Sequence, residues 1–321
     1  MTRSIVLVAA FDEGPHAHAA FRRRALERLG WTVTCVNVLQ ARGLTDWLRR
    51  RGWEKHLAQA VERAPEVVLA LGVPALDPTT VQALKSRETT WINWFPEQSN
   101  GDDLLDRAAA YDQVLASGSD LQQTLEAALG HPVGLLPPAC DPSVHRPNPL
   151  RTQQYRANVV FAGRATHRRE LLLAGLVEYG LALWGPGWRE GGLRDYCRGE
   201  VTNTEEFVRA YAGASVAVNI HHRDEGEDQP RHGCNQRLFE IAGIGVAQVV
   251  DARGDLPRWF DPFEEVQAFD SAEELRGQVE ALIHDPTRAE ELGAAGRRRA
   301  LSEHTYMHRI TSLLGDRAAA D

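Results

Sequence analysis

Short apolar runs bounded by turn residues alternate along this chain with longer stretches whose apolar residues recur three and four apart. The short runs predict strands over 5–10, 31–38, 65–71, 89–95, 111–116 and 132–136, then over 158–162, 182–184, 215–220 and 246–250. Between them lie helical patterns. Phe21, Ala25, Leu26 and Leu29 share one face, and Gly30 follows where a left-handed residue commonly closes a helix. A helix is expected over 169–179. Thr202 with Glu205, and Ser271 with Glu274, read as capping boxes opening two more. After Ser271, Ala272, Leu275, Val279 and Leu282 keep helical spacing. The segment 289–314 reads as closing helical material carrying Leu301, Tyr306, Ile310 and Leu314. Strand–helix alternation with short apolar strands predicts α/β architecture with parallel, doubly wound sheets.

Residues 137–150 (PPACDPSVHRPNPL) hold five prolines without periodicity and read as the linker between two such series. The expectation is therefore two Rossmann-like domains facing across a cleft, with an N-terminal domain over 1–143 and a C-terminal domain over 151–300. In open α/β sheets ligands bind beyond the carboxyl ends of the strands, which places the chemistry in the loops there.

Composition narrows the function. Of 321 residues, 43% are apolar and 25% charged, which excludes a disordered or fibrous chain. No apolar run approaches the ~20 residues of a membrane span, and the opening segment is too brief for a signal peptide, so a cytoplasmic protein is expected. The net charge of −8 argues against general nucleic-acid binding. Only Lys55 and Lys85 are lysines among 36 cations, so an anion site in the second half must use arginine, backbone N–H groups or a helix terminus. Cys35, Cys140, Cys197 and Cys234 include no C-x-x-C pair and read as reduced thiols.

The most informative segment is 215–251. A strand ends at Asn219 and Ile220, a polar loop follows, a short helix begins near Gln236, and Gly243 and Gly245 turn the chain into the next strand. Arg237 and Glu240 lie three apart near that helix's N-terminus, where an arginine can grip phosphate and a carboxylate can accept from ribose hydroxyls. The alternative is a surface ion pair between the two. His221, His222, His232 and Cys234 are zinc-ligand types, but their spacing fits no closed zinc pattern. No metal is expected.

The ordered motifs resemble CgeB-type (spore maturation protein-like) glycosyltransferases of the GT-B superfamily. They are Asn219-Ile220-His221, Arg237-Leu238-Phe239-Glu240, Ala242-Gly243-Ile244-Gly245, Asp251, 269–275 (FDSAEEL) and the closing Arg297-Arg298-Arg299 with His304-Thr305-Tyr306 and Arg309. Leu136-Pro137-Pro138 through Asp141-Pro142, Val160-Phe161-Ala162-Gly163-Arg164 and Leu183-Trp184-Gly185-Pro186-Gly187-Trp188 continue the likeness, which covers about 132–310. The resemblance implies metal-independent transfer of a sugar from a nucleotide-diphosphate donor to an acceptor: a glycan, protein or small molecule. The nucleotide sugar is then a substrate, and no cofactor is expected. Glu240 would hold the donor ribose, Gly163, Arg164, Arg168 and Arg169 would approach the diphosphate, and Asn219 would line the site. Residues 301–321 would form a helix crossing back to the N-terminal domain. One departure stands out. His232 occupies the place, eight residues before Glu240, where retaining relatives often carry a second glutamate.

On the acceptor side, His16 and His18 follow the first strand and Glu97 the fourth, and these are the catalytic candidates. Trp94 and Phe95 read either as sugar-stacking or as core residues. A non-catalytic nucleotide- or sugar-binding protein on the same fold is the alternative. An oxidoreductase is disfavoured, because Gly14 stands alone after the first strand and no G-x-G-x-x-G follows.

Overall fold

The computed structural model describes residues 3–12, 14–39, 46–73, 76–96, 103–148, 152–222 and 232–315. Contacts divide the chain into two units. The first comprises Met1–Asp12, Ala17–Pro137 and Tyr306–Asp321, and the second Glu13–His16 and Pro138–Thr305.

In the first unit the order is β1 (Ser4–Ala9), α1 (His18–Arg28), β2 (Thr32–Asn37), α2 (Asp46–Val61), β3 (Val67–Ala70), α3 (Pro78–Leu84), β4 (Thr90–Phe95), α4 (Leu104–Ala109), β5 (Gln113–Ala116), α5 (Ser119–Leu129) and β6 (Gly134–Leu135). Among the described residues these strands form one sheet ordered β2-β1-β3-β4-β5-β6, parallel throughout. Its strands read as nearly continuous apolar runs because helices cover both faces.

The second unit contains β7 (Ala157–Ala162), α6 (His167–Ala174), β8 (Leu181–Trp184), β9 (Cys197–Gly199), α7 (Thr204–Ala212), β10 (Ala214–Asn219), α8 (Gln236–Ile244), β11 (Ala247–Asp251), α9 (Leu256–Trp259), β12 (Gln267–Phe269), α10 (Ala272–His284) and α11 (Pro286–Glu303). Its described strands form a parallel sheet ordered β12-β11-β10-β7-β8-β9. Successive side chains of a strand point to opposite faces. Val159 and Phe161 accordingly pack with Leu173 of α6 and Leu275 of α10, while Val160 and Ala162 pack with Phe207 of α7 and Ile241 of α8. The chain runs from β7 outward through β8 and β9, then returns to lay β10 on the other side of β7. The order reverses between β7 and β10, the point at which open α/β sheets bind ligands beyond their carboxyl ends.

The closing helix of the sequence reading is two helices. α11 ends at Glu303, and α12 (Tyr306–Leu314) belongs to the first unit. Tyr306, Ile310 and Leu314 are buried there, with the Tyr306 ring 6.1 Å from that of Phe21 and 6.4 Å from that of Trp94. Arg309 Nε donates to the Pro137 carbonyl at 3.0 Å. Part of the proline-rich stretch is packed: Ala139, Cys140, Asp141 and His145 are buried in the second unit, and Cys140 N–H donates to the His304 carbonyl, while Ser143, Arg146 and Pro147 are exposed. The helix at 204 opens one residue later than its expected box. Asn203 accepts from Glu206 N–H, and Glu206 accepts in return from Thr202. Ser271 does cap α10, through Glu274 N–H.

Arg22, the first of three consecutive arginines in α1, is buried. Its guanidinium carbon sits 4.0 Å from the Trp94 ring centroid and 4.7 Å from that of Tyr306, so it bridges α1, β4 and α12. Burial lowers its pKa from the ordinary arginine range, opposed by Tyr306. Trp94 and Phe95 are core residues, the Trp94 indole donating to the Leu136 carbonyl. Replacing Arg22 by Ala removes a desolvated cation–π contact and leaves a cavity, an expected loss of about 2–4 kcal/mol. Urea unfolding tests this; an unchanged midpoint would show that α12 docks without Arg22.

Candidate functional site

Three segments meet at the carboxyl ends of β7 and β10: the turn 163–166 into α6, residues 220–221 after β10, and the first turn of α8. Thr166 caps α6, accepting from Arg169 N–H, and Asn235 caps α8, accepting from Leu238 N–H. Two helix N-termini therefore sit beside one another at the switch point, each favouring negative charge.

Arg169 holds this arrangement. It is 5% exposed, and its guanidinium donates to the Arg164 carbonyl at 2.9 Å and the Ile220 carbonyl at 2.7 Å. Burial, with repulsion from Arg237, lowers its pKa to about 9. It remains a cation at neutral pH but is committed to backbone oxygens. Arg168 pairs with Asp251 at 3.0 Å and lines a separate pocket of about 380 Å³ with Arg253 and Asp270. Arg164 is exposed.

Arg237 differs from these. Its guanidinium lies toward Gly163 and the Phe161 ring, 5.7 Å from the ring centroid, and among the described residues its side chain has no hydrogen bond or ion pair. A Cβ on Gly163 would stand 3.2 Å from Arg237 Nη2, so the missing side chain keeps that space open. The backbone of Gly163 is already engaged: its N–H donates to the Trp184 carbonyl, and its carbonyl accepts from the Trp188 indole. Gly163 contributes room rather than a hydrogen bond. Gly185, at φ +124°, permits this packing, since a Cβ there would lie 2.5 Å from the Gly163 carbonyl oxygen.

Glu240 does not share an open face with Arg237, and the ion-pair alternative does not form. Arg237 turns toward β7, while Glu240 turns inward and is fully buried. Its carboxylate accepts from His16 Nδ1 at 2.8 Å and Gln236 Nε2 at 2.5 Å, with His145 Nε2 at 3.5 Å. Burial alone would raise its pKa; His16, His145 and Gln236 outweigh it and hold the carboxyl at about 2. His16 thus clusters with the second unit, its carbonyl accepting from Gln236 and its ring edge-on to Phe207 at 5.1 Å. His18 is exposed on the first turn of α1, in the first unit. Glu97 lies outside the described residues.

Asn219, expected to line the site, is buried beneath it. Its amide bonds to Asn235 and Gln248, because a polar side chain at a covered strand end must be satisfied by its neighbours. His221, read as a zinc-ligand type, is paired with Asp251 at 2.7 Å. Among the described residues no three His, Cys, Asp or Glu side chains stand together as a metal site. The sequence reading missed Asn235, Thr166, His145 and Gln236. The caps carried a local signal, an Asn or Thr just before an apolar-periodic run, but His145 sits in a proline-rich stretch that offers none.

Residues 167–315 match the family described as Glycosyl transferase-like. No curated protein is significantly similar in sequence. The structure is similar to sucrose-phosphate synthase from Thermosynechococcus elongatus at 15% identity and a TM-score of 0.69, over 99% of this chain and 100% of that one. It is similar to Anabaena HepE in complex with UDP and glucose at 11% identity and a TM-score of 0.69, over 99% and 100%. An alpha-glucosyltransferase in complex with UDP and DNA matches at 11% identity and a TM-score of 0.67, over 99% and 98%. The fold is thus the GT-B fold, two Rossmann-like α/β units. No described helix is long and apolar enough to cross a membrane.

The buried carboxylate generates a prediction. A pKa held at about 2, against an ordinary 4.5, contributes stability present above pH 4.5 and lost as pH falls toward 2, about 3 kcal/mol in all. Glu240→Gln is expected to be less stable than wild type at neutral pH, the gap narrowing between pH 4.5 and 2. A gap independent of pH in urea titrations would contradict the pairing.

Proposed function

We propose that the chain is a CgeB-type glycosyltransferase that transfers a sugar from a nucleotide-diphosphate donor to an acceptor hydroxyl without a divalent metal. The observation carrying this reading is Arg237: a half-buried guanidinium without a protein counter-ion among the described residues, laid over a side-chain-free turn at the switch point of a Rossmann-like sheet. The two adjacent helix N-termini support it, as does the glycosyl transferase-like match that begins at α6.

In the reaction the acceptor oxygen bonds to the anomeric carbon while the bond from that carbon to the β-phosphate oxygen breaks. The hydroxyl proton passes to a base, and the nucleoside diphosphate leaves with the electron pair. Charge grows on the diphosphate, and Arg237, with Arg164 and the helix dipoles, stabilises it. Glu240 accepts from the ribose hydroxyls in the place where His16 donates in this structure. His16, so released, joins His18 and Glu97 as candidates for the proton acceptor. The acceptor substrate is a glycan, protein or small molecule, and the cytoplasm is the proposed location.

Calorimetric titration with UDP, GDP, ADP and dTDP, in the presence of EDTA, tests this. At least one is expected to bind wild type, and Arg237→Ala to weaken it tenfold or more, about 1.4 kcal/mol or greater, with little change in melting temperature. Equal affinity in the variant would remove the diphosphate from this site. Binding only with added manganese would refute the metal-independent reading.

A further inference from the structure

His221 is 1% exposed and takes no part in the chemistry proposed above, yet every polar atom of its ring is committed. Its Nδ1 lies 2.7 Å from Asp251 Oδ1, and its own backbone N–H donates to the same oxygen at 2.9 Å. Its Nε2 accepts from the backbone N–H of Asn235 at 3.0 Å. A backbone N–H only donates, so Nε2 is the bare nitrogen and Nδ1 carries the proton. Asp251 Oδ2 accepts from Arg168 at 3.0 Å. An unbroken series of hydrogen bonds thus runs from α6 through the end of β11 and the end of β10 to the residue that caps α8. Two positions beyond Asn235 stands Arg237.

We infer that His221 is a positioning residue for the donor site: its neutral imidazole fixes Asn235, and so sets the first turn of α8 in the orientation that lets Arg237 meet the diphosphate. This rests on the donor reading of Arg237. The same amide cannot be held by an imidazolium, whose Nε2–H would confront the Asn235 N–H donor to donor. The charged groups facing the ring are Asp251 at the end of β11, Arg253 just after it, Arg237 from α8 and Arg168 from α6, whose guanidinium also approaches the His221 carbonyl at 3.5 Å. Burial disfavours the charged ring. Arg253 and Arg237 disfavour it further and outweigh, with burial, the opposing pull of Asp251, so the pKa lies below the ordinary histidine value of 6.5. The acceptor state therefore persists through neutral pH and is lost on acidification.

Two substitutions separate the ring's two nitrogens. Asn reaches only the Nδ1 position, so His221→Asn keeps a donor for Asp251 and leaves the Asn235 N–H unmet. Gln reaches farther and offers both a donor and an acceptor. Each variant is titrated with whichever of UDP, GDP, ADP and dTDP binds wild type most tightly, from about pH 7.5 down to the lowest pH at which wild type and variants stay folded. At the upper pH, His221→Asn is expected to bind about tenfold more weakly than wild type, and His221→Gln within about threefold of it. On acidification wild type is expected to lose more affinity than His221→Gln, since titration of the ligand's own phosphate is common to both. Wild-type binding with His221→Asn equally tight, or identical pH profiles for wild type and His221→Gln, would overturn the inference while leaving the donor reading intact. Absence of any binding by wild type would instead remove the donor reading, and this inference with it. If His221→Asn does not fold, the comparison of pH profiles decides alone.

Discussion

One buried guanidinium ties together the ends of the two strands on which the second unit turns. Arg169 donates to the Arg164 carbonyl beyond β7 and to the Ile220 carbonyl beyond β10. The strand order reverses there, and carbonyl groups just beyond the strand ends have no ladder partners. A buried cation bonded to backbone oxygens closes that deficit, and in doing so fixes the spacing between the turn after β7 and the chain leaving β10. The arginine that remains for a ligand is the next one inward, Arg237. Two arginines near one another would repel. The first keeps its charge but is committed to backbone carbonyls, whereas the second has no such partners among the described residues.

The same division of labour recurs around the site. Asp251 serves Arg168 and His221, Asn219 serves Asn235, and Gln248 serves both Asn219 and the Leu238 carbonyl. Most polar side chains here satisfy one another and the backbone, as buried polar groups must. Glu240 belongs to this network in the present state, held by His16, Gln236 and His145. Those partners keep it ionised despite complete burial, and His145 and Gln236 remain beside it where a ribose replaces His16.

The α/β class, the placement of most strands and the helix at 236–244 were legible because buried parallel strands are short apolar runs and Gly30 and Gly245 mark helix ends. β9 and β12 escaped detection: three residues carry no period, and their pairing is decided by the sheet. The site was legible as a segment but not in its assignments. Arg237 and Glu240 are one helical turn apart, yet which of them faces β7 depends on where α8 packs, and that is a tertiary fact. Asn219, Arg168 and Arg169 were of the right type for a ligand site, but each is engaged by a partner far away in sequence. Arg22 reads as one of three surface arginines, and only the return of α12 places Tyr306 over it. Residue type announced the chemistry; burial and partner choice assigned it.

In the proposed donor site the diphosphate of the sugar donor sits on Arg237 above Gly163. A crystal structure of the protein with a bound nucleoside diphosphate tests it most directly. Phosphate oxygens are expected within hydrogen-bonding distance of the Arg237 guanidinium, with ribose hydroxyls on Glu240 and His16 displaced from that carboxylate. A nucleotide seated elsewhere, with Arg237 untouched and the His16–Glu240 bond intact, would contradict it.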